Sequence, residues 1–298
     1  MFCVDEVIIF DDGVQDTSGN SNQQWQDQGR KSTSANDLLA LILSYLETPP
    51  HMRRKLFPMN PDLQKAGLLP SLDMPHHLRR DEWCQYREGV TIKSNGGKTS
   101  VDVGTEIPVE IPLDIPPNTR VTIKFPDAKP GGDISKIQAV APSAPREDDG
   151  WYWGYDVRQA KSLSSVLTEC PWGGGYDVSI GTSERGRPSQ DMLRLWSDMQ
   201  RDHPDGSIQS RGKDIDKIKA LLNYSHLLLV FGAHQGLEVA ARNDTELKQM
   251  GVDQPEKLFD WWVNLCPGQG SRTIRTEEAI WLGLTTFRSM VESRGKSS

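Results

Sequence analysis

The chain has 298 residues and a net charge of −7, which excludes overall basic character as a route to nucleic acid; any such surface must be a local cluster of arginines. Hydrophobic residues make up 36% and charged residues 25%, which excludes an intrinsically disordered chain and fits one large or two modest globular domains. The four cysteines, Cys3, Cys84, Cys170 and Cys266, form no CxxC pair, so neither a zinc ribbon nor a disulfide framework underlies the fold, and a reducing compartment fits.

Val4, Val7, Ile8, Ile9 and Phe10 make Phe2–Phe10 a buried strand. Asp5 and Glu6 interrupt its apolar character and no basic segment precedes it, so it does not read as a signal peptide. No apolar run approaches the roughly 18 residues that span a bilayer. The protein is therefore expected to be intracellular and soluble, with no membrane contact. A polar loop runs from Asp11 to Ser34. Leu38, Leu41, Ile42, Tyr45 and Leu46 then recur at helical spacing, with Asn36 or Asp37 as cap and Pro49-Pro50 as terminator. The segment from His51 to Arg80, punctuated by four prolines, reads as loop. Its His76-His77 pair and Cys84 raise a metal site, but adjacent histidines on an extended segment point to opposite sides, and no metal is expected.

From Arg87 to Pro142 the texture changes to short alternating runs: Gly89–Lys93, Ser100–Val103, Ile107–Ile111, Arg120–Phe125 and Ile134–Ala141. Asn95-Gly96-Gly97, Pro116-Pro117 and Pro130-Gly131-Gly132 separate them, and this spacing suggests a small barrel of the OB type. Strands and helices then alternate. Trp151–Val157 reads as strand, Ala160–Thr168 as helix, Tyr176–Ile180 as strand, Ser189–Gln200 as helix, and the polar stretch to Asp214 as an exposed insertion. His226–Phe231 and Phe259–Leu265 read as strands. Thr276–Glu292 is the last helix, capped by Thr276, with Ile280, Leu284, Phe287 and Val291 as its apolar stripe.

Three of these strands end in glycine-bearing polar segments: Gly181–Gly186, Gly232–Glu238 and Asn264–Arg275. In a parallel α/β sheet ligands bind outside the carboxyl ends of strands, so the three would converge on one pocket. Glycines bring bare backbone close to a ligand, and Arg272 and Arg275 add positive charge with fork geometry. No GxxxxGK[ST] occurs, and Thr273 stands where a dinucleotide fingerprint needs its third glycine, which argues against nucleoside triphosphates and NAD. Cys266 has no histidine nearby in sequence and reads as packing rather than nucleophile.

Phe2–Val7, Pro75-His76-His77, Trp153-Gly154-Tyr155, Gly181–Gly186, Phe231-Gly232 with Gln235–Glu238, and Asn264–Glu278 occur in that order over nearly the whole chain. In this the sequence resembles the SPOUT-class RNA methyltransferases, in the eukaryotic and archaeal branch that carries an inserted OB-like barrel. The resemblance implies an α/β fold with a parallel sheet and a deep trefoil knot. It divides the chain into residues 1–83 and 146–298, which form the knotted domain, and 84–145, which form the inserted barrel. It implies S-adenosylmethionine as cofactor, contacted by Thr182, Gly232, Gly236, Leu237, Asn264, Gln269, Gly270, Ser271 and Ile274. It also implies a homodimer through the knot and a structured, ribosomal RNA as substrate, methylated on a base such as uridine. Arg185, Arg272 and Arg275 are then candidates to hold phosphate or favour a deprotonated base, and Glu184 or Glu277 to accept a proton. Helix capping alone accounts for Glu277; for Glu184 a helix-start salt bridge competes with the active site. The family begins with a further strand and helix before the segment matching Phe2–Phe10, so the sheet is expected to be one strand short. The insertion from about Arg187 to Asn223 is longer than the family's. The rival reading is a non-catalytic RNA-binding or scaffold protein, nuclear or spindle-associated, that retains the fold.

Overall fold

The structure is a computed structural model and describes residues 2–14, 33–126, 136–203, 213–252 and 254–294. Most of the expected polar loop before Ser34, the Pro130-Gly131-Gly132 turn and most of the expected insertion around residue 207 lie outside the described residues. The chain forms two compact units. One comprises Cys3–Ile9 and Gly29–Arg158, the other Phe2, Phe10–Gln28 and Gln159–Ser298.

In the first unit, strand β1 is Glu6–Phe10, helix α1 Ala35–Glu47 and helix α2 Pro50–Leu56. The cap of α1 is Ser34, whose hydroxyl oxygen accepts from the Asp37 N–H at 3.1 Å; Asn36 and Asp37 lie inside the helix. Helix α1 ends at Glu47, just before Pro49-Pro50 as expected, and Pro50 has a second role. It opens α2 at the first helical position, where a missing N–H costs nothing. An antiparallel sheet follows: β2 Tyr86–Asn95, β3 Lys98–Asp102, β4 Val109–Ile111, β5 Arg120–Lys124 and β6 Gln138–Val140, in the order β4-β3-β2-β5-β6. Gly96 and Gly97, at φ 59° and 80°, make the two-residue turn between β2 and β3. Val101, Val103, Ile111, Ile123, Phe125 and Ile137 form the core on one face. The order places β4 and β6 at its two ends, and no ladder among the described residues joins them.

A buried polar network sits in this unit. Arg120 donates to both carboxylate oxygens of Glu47, at 2.6 and 3.0 Å, and to Glu88 at 2.6 Å. Glu88 also accepts from the Thr122 hydroxyl and the Trp153 indole N–H, at 2.6 and 2.7 Å. Burial pushes the Glu47 carboxyl up, and hydrogen bonds from His76 and Arg120 more than reverse this, holding it at about 2. His76 and His77 do not point apart. A turn closed by the His77 N–H to the Met74 carbonyl brings both rings to the Glu47 carbonyl, at 2.9 and 2.6 Å. No group of three or more His, Cys, Asp or Glu among the described residues could hold a metal ion. Helix α3, Ala144–Asp149, precedes a coil through Tyr155, so strand β7 starts only at Asp156 and runs to Ala160. The Asp156 N–H donates to the Asp5 carbonyl at 2.9 Å, and Arg158 meets Glu6 at 2.7 Å, which ties β7 to β1.

In the second unit helix α4 is Leu163–Thr168, strand β8 Val178–Pro188, helix α5 Ser189–Asp202, helix α6 Lys213–Asn223 and strand β9 Leu227–Val230. Helix α7 is Leu237–Asn243, helix α8 Thr245–Gln249, strand β10 Trp261–Asn264 and helix α9 Thr276–Arg294. The sheet is parallel with order β10-β8-β9, so β8 is central. Such strands are buried on both faces and read as continuous apolar runs, as Leu227–Val230 does. Val178, Ile180, Met192, Leu221, Val263, Phe287 and Met290 make the core. The buried stripe of α9 is Gly283, Phe287 and Met290. Ile280 and Val291, expected inside, are 38% and 43% exposed. Gly283 sets this rotation: a Cβ there would meet the Phe231 ring at 2.7 Å, so the small residue faces the sheet. No helix among the described residues is long and apolar enough to cross a membrane.

Candidate active site

The carboxyl ends of β8, β9 and β10 lie side by side, and three backbone-rich segments leave them. The first departs from the expected loop. Strand β8 does not stop at Ile180. It pairs with β10 through Trp261↔Ile180 and Trp262↔Gly181, then through Val263↔Arg187 and Asn264↔Pro188. Thr182–Gly186 are therefore skipped, and this five-residue excursion leaves the ladder and rejoins it. Glycines bracket it for a steric reason. A Cβ on Gly181 would meet the Trp262 ring at 2.6 Å, and one on Gly186 would meet the Val263 backbone at 2.3 Å. Thr182, 9% exposed, anchors the excursion by donating to the Val230 carbonyl at 2.9 Å. Asn264 donates to the Glu184 carbonyl at 2.7 Å, tying it to the end of β10.

The second segment joins β9 to α7. Gly236, at φ 78°, is the N-cap of α7 and has a backbone conformation that L side chains rarely adopt. Gly232 is squeezed between strand and helix: a Cβ there would lie 2.5 Å from the Leu237 nitrogen. The Leu237 side chain points into the core and is fully buried, so it does not line the cleft.

The third segment runs from Leu265 to Arg275. Asn264 Oδ1 accepts from the Cys266 N–H at 2.9 Å, and Gly268 takes φ 75°. Gln269 donates to the Ser271 carbonyl and the Ser271 hydroxyl to the Thr273 carbonyl, at 3.0 and 2.8 Å, so the segment braces itself. Helix α9 is not capped by Thr276, whose hydroxyl lies 3.4 Å from the Gly232 carbonyl. Instead Glu278 reaches back to accept the Arg275 N–H at 3.0 Å.

These segments enclose a cleft of about 280 Å³. Of the residues singled out from sequence, Thr182, Glu184, Arg185, Gly232, Gly236, Asn264, Gln269, Arg272 and Ile274 line it. Gly270, Ser271 and Arg275 lie on the same third segment but outside the lining. Sequence reasoning passed over Ser183, Glu238 and Arg242, which line the cleft too. Glu238 and Arg242 stand four apart on α7, so a helix beginning at Gly236 would have put both on one face. The cleft offers both charge signs. Among the described residues the Arg185, Arg242 and Arg272 guanidinium groups make no ion pair, and the exposed Glu184 carboxylate makes no hydrogen bond. Arg275 meets Glu277 only at 3.7 Å, on the surface. A small ligand bearing both charge signs fits this lining, with the Glu184 carboxylate and the arginines answering its charges.

An α/β protein with a mixed-charge cleft at the carboxyl ends of its parallel strands carries its candidate site where open α/β sheets bind ligands. Comparison with known proteins narrows this: a family model described as "Putative RNA methyltransferase" matches residues 1–287, and the chain belongs to that family. It is 38% identical over 98% of its length to the 28S rRNA (uridine-N(3))-methyltransferase of Drosophila melanogaster, of which the match covers 56%. It is 40% identical over 97% of its length to the enzymes so named from Homo sapiens and Mus musculus, covering 69% and 68% of those chains. The chain thus spans about half to two thirds of the length of these relatives.

Proposed function

We propose that this chain is an S-adenosylmethionine-dependent RNA methyltransferase acting on N3 of a uridine in ribosomal RNA. The observation that carries the reading is the convergence of three glycine-bearing segments on one mixed-charge cleft at the ends of β8, β9 and β10. The names of the fly, human and mouse relatives support the substrate and the atom modified. The reading includes a SPOUT-type trefoil knot in the unit with the parallel sheet, an OB-like barrel built from the five-stranded sheet, a homodimer through the knot, and residence in the nucleus, nucleolus or cytoplasm.

When bound, the cofactor supplies a methyl group on a sulfonium sulfur. Thr182, Gly232, Gly236, Asn264, Gln269 and Ile274 are proposed to hold it from the lining, with Gly270, Ser271 and the main chain of Leu237 beside them. Arg185 and Arg272 grip the RNA backbone or the developing charge on uracil oxygen, and Arg275 extends that positive edge. Methylation at N3 releases the N3 proton, and Glu184 is the proposed acceptor, its carboxylate being exposed and unpaired among the described residues. Calorimetric titration with S-adenosylhomocysteine tests the pocket. One-to-one saturable binding, abolished by Gly232→Val, is expected; a well-folded chain with no binding would contradict it.

A further inference from the structure

Glu238 is half-buried in the cleft and has no part in the roles assigned above. Its Oε1 accepts from the Ser183 hydroxyl at 2.7 Å, across from α7 to the excursion of β8. The same hydroxyl oxygen accepts the Arg185 N–H at 3.1 Å. One carboxylate therefore orients one hydroxyl, and that hydroxyl fixes the backbone that carries Glu184 and Arg185. Gly236 makes room for this. A Cβ there would lie 2.5 Å from Glu238 Oε2, so the carboxylate folds back over bare backbone toward the excursion.

The excursion needs such a brace. Thr182–Gly186 have left the ladder with β10, so sheet hydrogen bonds do not set their conformation. Its anchors are Thr182 at one end and the Asn264 contact to the Glu184 carbonyl. Neither orients the Ser183 hydroxyl, which closes the turn by accepting the Arg185 N–H. A half-buried hydrogen bond to a carboxylate is stronger than a neutral one, which suits it to fix a segment that must present two side chains in one geometry.

We infer that Ser183 and Glu238 form a positioning pair, which holds the β8 excursion so that Glu184 and Arg185 face the substrate base. The inference rests on the methyltransferase reading above. It assigns the pair to turnover rather than to cofactor affinity, because the hydrogen bonds organise the excursion and leave Gly232 and the third segment untouched.

The test is a double-mutant cycle in the full chain, with methyl transfer to ribosomal RNA and S-adenosylhomocysteine binding read in parallel. Glu238→Ala and Ser183→Ala should each lower kcat by about 10–100-fold, the range for losing a charge-assisted hydrogen bond. The double variant should lose no more than either single one. Glu238→Gln, which keeps an acceptor oxygen, should recover most of kcat, while cofactor affinity stays within about threefold throughout. If Glu238→Ala fails to fold, Ser183→Ala with its thermal midpoint carries the test from the other side. Wild-type kcat in Ser183→Ala, losses that multiply in the double variant, or a Glu238→Gln as weak as Glu238→Ala would each overturn the pair. An inactive wild-type chain would overturn the methyltransferase reading and this inference with it; an active one with unimpaired variants would overturn the inference alone.

Discussion

The two units treat charge in opposite ways. In the first, Glu47, Glu88, His76 and Trp153 are buried and Arg120 is partly buried, and their charged groups pair with one another at 2.6–3.0 Å, with His76 Nδ1 left without a partner. In the second, the charged groups of Arg185, Arg272 and Glu184 line a cleft and make no ion pair among the described residues. Charges buried without a partner are costly, so the charged groups of a buried network must be paired. Exposed charges that remain unpaired around a concave surface cost little in stability and stay free to meet a ligand. The contrast separates residues that hold the chain together from residues that act.

The sharpest way to break this comparison is at the glycines of the cleft. Gly232→Val places side-chain atoms where the Leu237 nitrogen sits 2.5 Å away. Affinity for S-adenosylhomocysteine should fall by more than about 100-fold in calorimetry, with the first unit's core unaffected. Next comes the network. Its carboxyl is held at about 2 in the fold against 4.5 otherwise, so it contributes stability above pH 4.5 that is lost as pH falls toward 2. Over that window the wild-type chain should lose about 3 kcal/mol through this group in denaturant titrations, and Glu47→Gln should flatten the dependence. Gly154→Ala should damage the same network, since its Cβ would lie 2.4 Å from Glu47 Oε1 at a φ of 103°; a drop of about 2–4 kcal/mol in unfolding free energy is expected.

Smaller effects sharpen the other side. Arg272→Ala should weaken RNA binding by about tenfold and reduce the salt dependence by about one counterion, without changing thermal stability by more than about 0.5 kcal/mol. At the bottom of the scale, Glu277→Ala should alter neither activity nor stability measurably. Its contact with Arg275 is 3.7 Å long between side chains 72% and 80% exposed. A large loss of turnover in that variant would restore Glu277 as a proton acceptor.

Period and turn chemistry made much of this legible. The apolar run at Leu227–Val230, the glycine turn at Gly96-Gly97 and the three strand ends that meet at the cleft all carry local signals. What escaped depends on distant partners. Nothing in Gly181–Gly186 says that the strand resumes after the excursion, because the evidence is the register against β10, some 80 residues on. Ile280 and Val291 match a helical stripe as well as Gly283 and Met290 do, and only the close approach of Phe231 selects the face. The His76-His77 turn is closed by Met74, and both rings are drawn to a carbonyl about 30 residues earlier. Glu238 was visible as a residue but not as a partner of Ser183, since that pairing exists only once β8 leaves its ladder.

The most direct measurement is to incubate the purified chain with S-adenosylmethionine and unmodified large-subunit ribosomal RNA, digest to nucleosides and analyse by mass spectrometry. The account predicts 3-methyluridine, formed by the wild-type chain and absent with Gly232→Val. Methyl groups on ribose or on another base would contradict the assigned atom, and a folded, cofactor-binding chain that leaves the RNA unmodified would contradict the assigned activity.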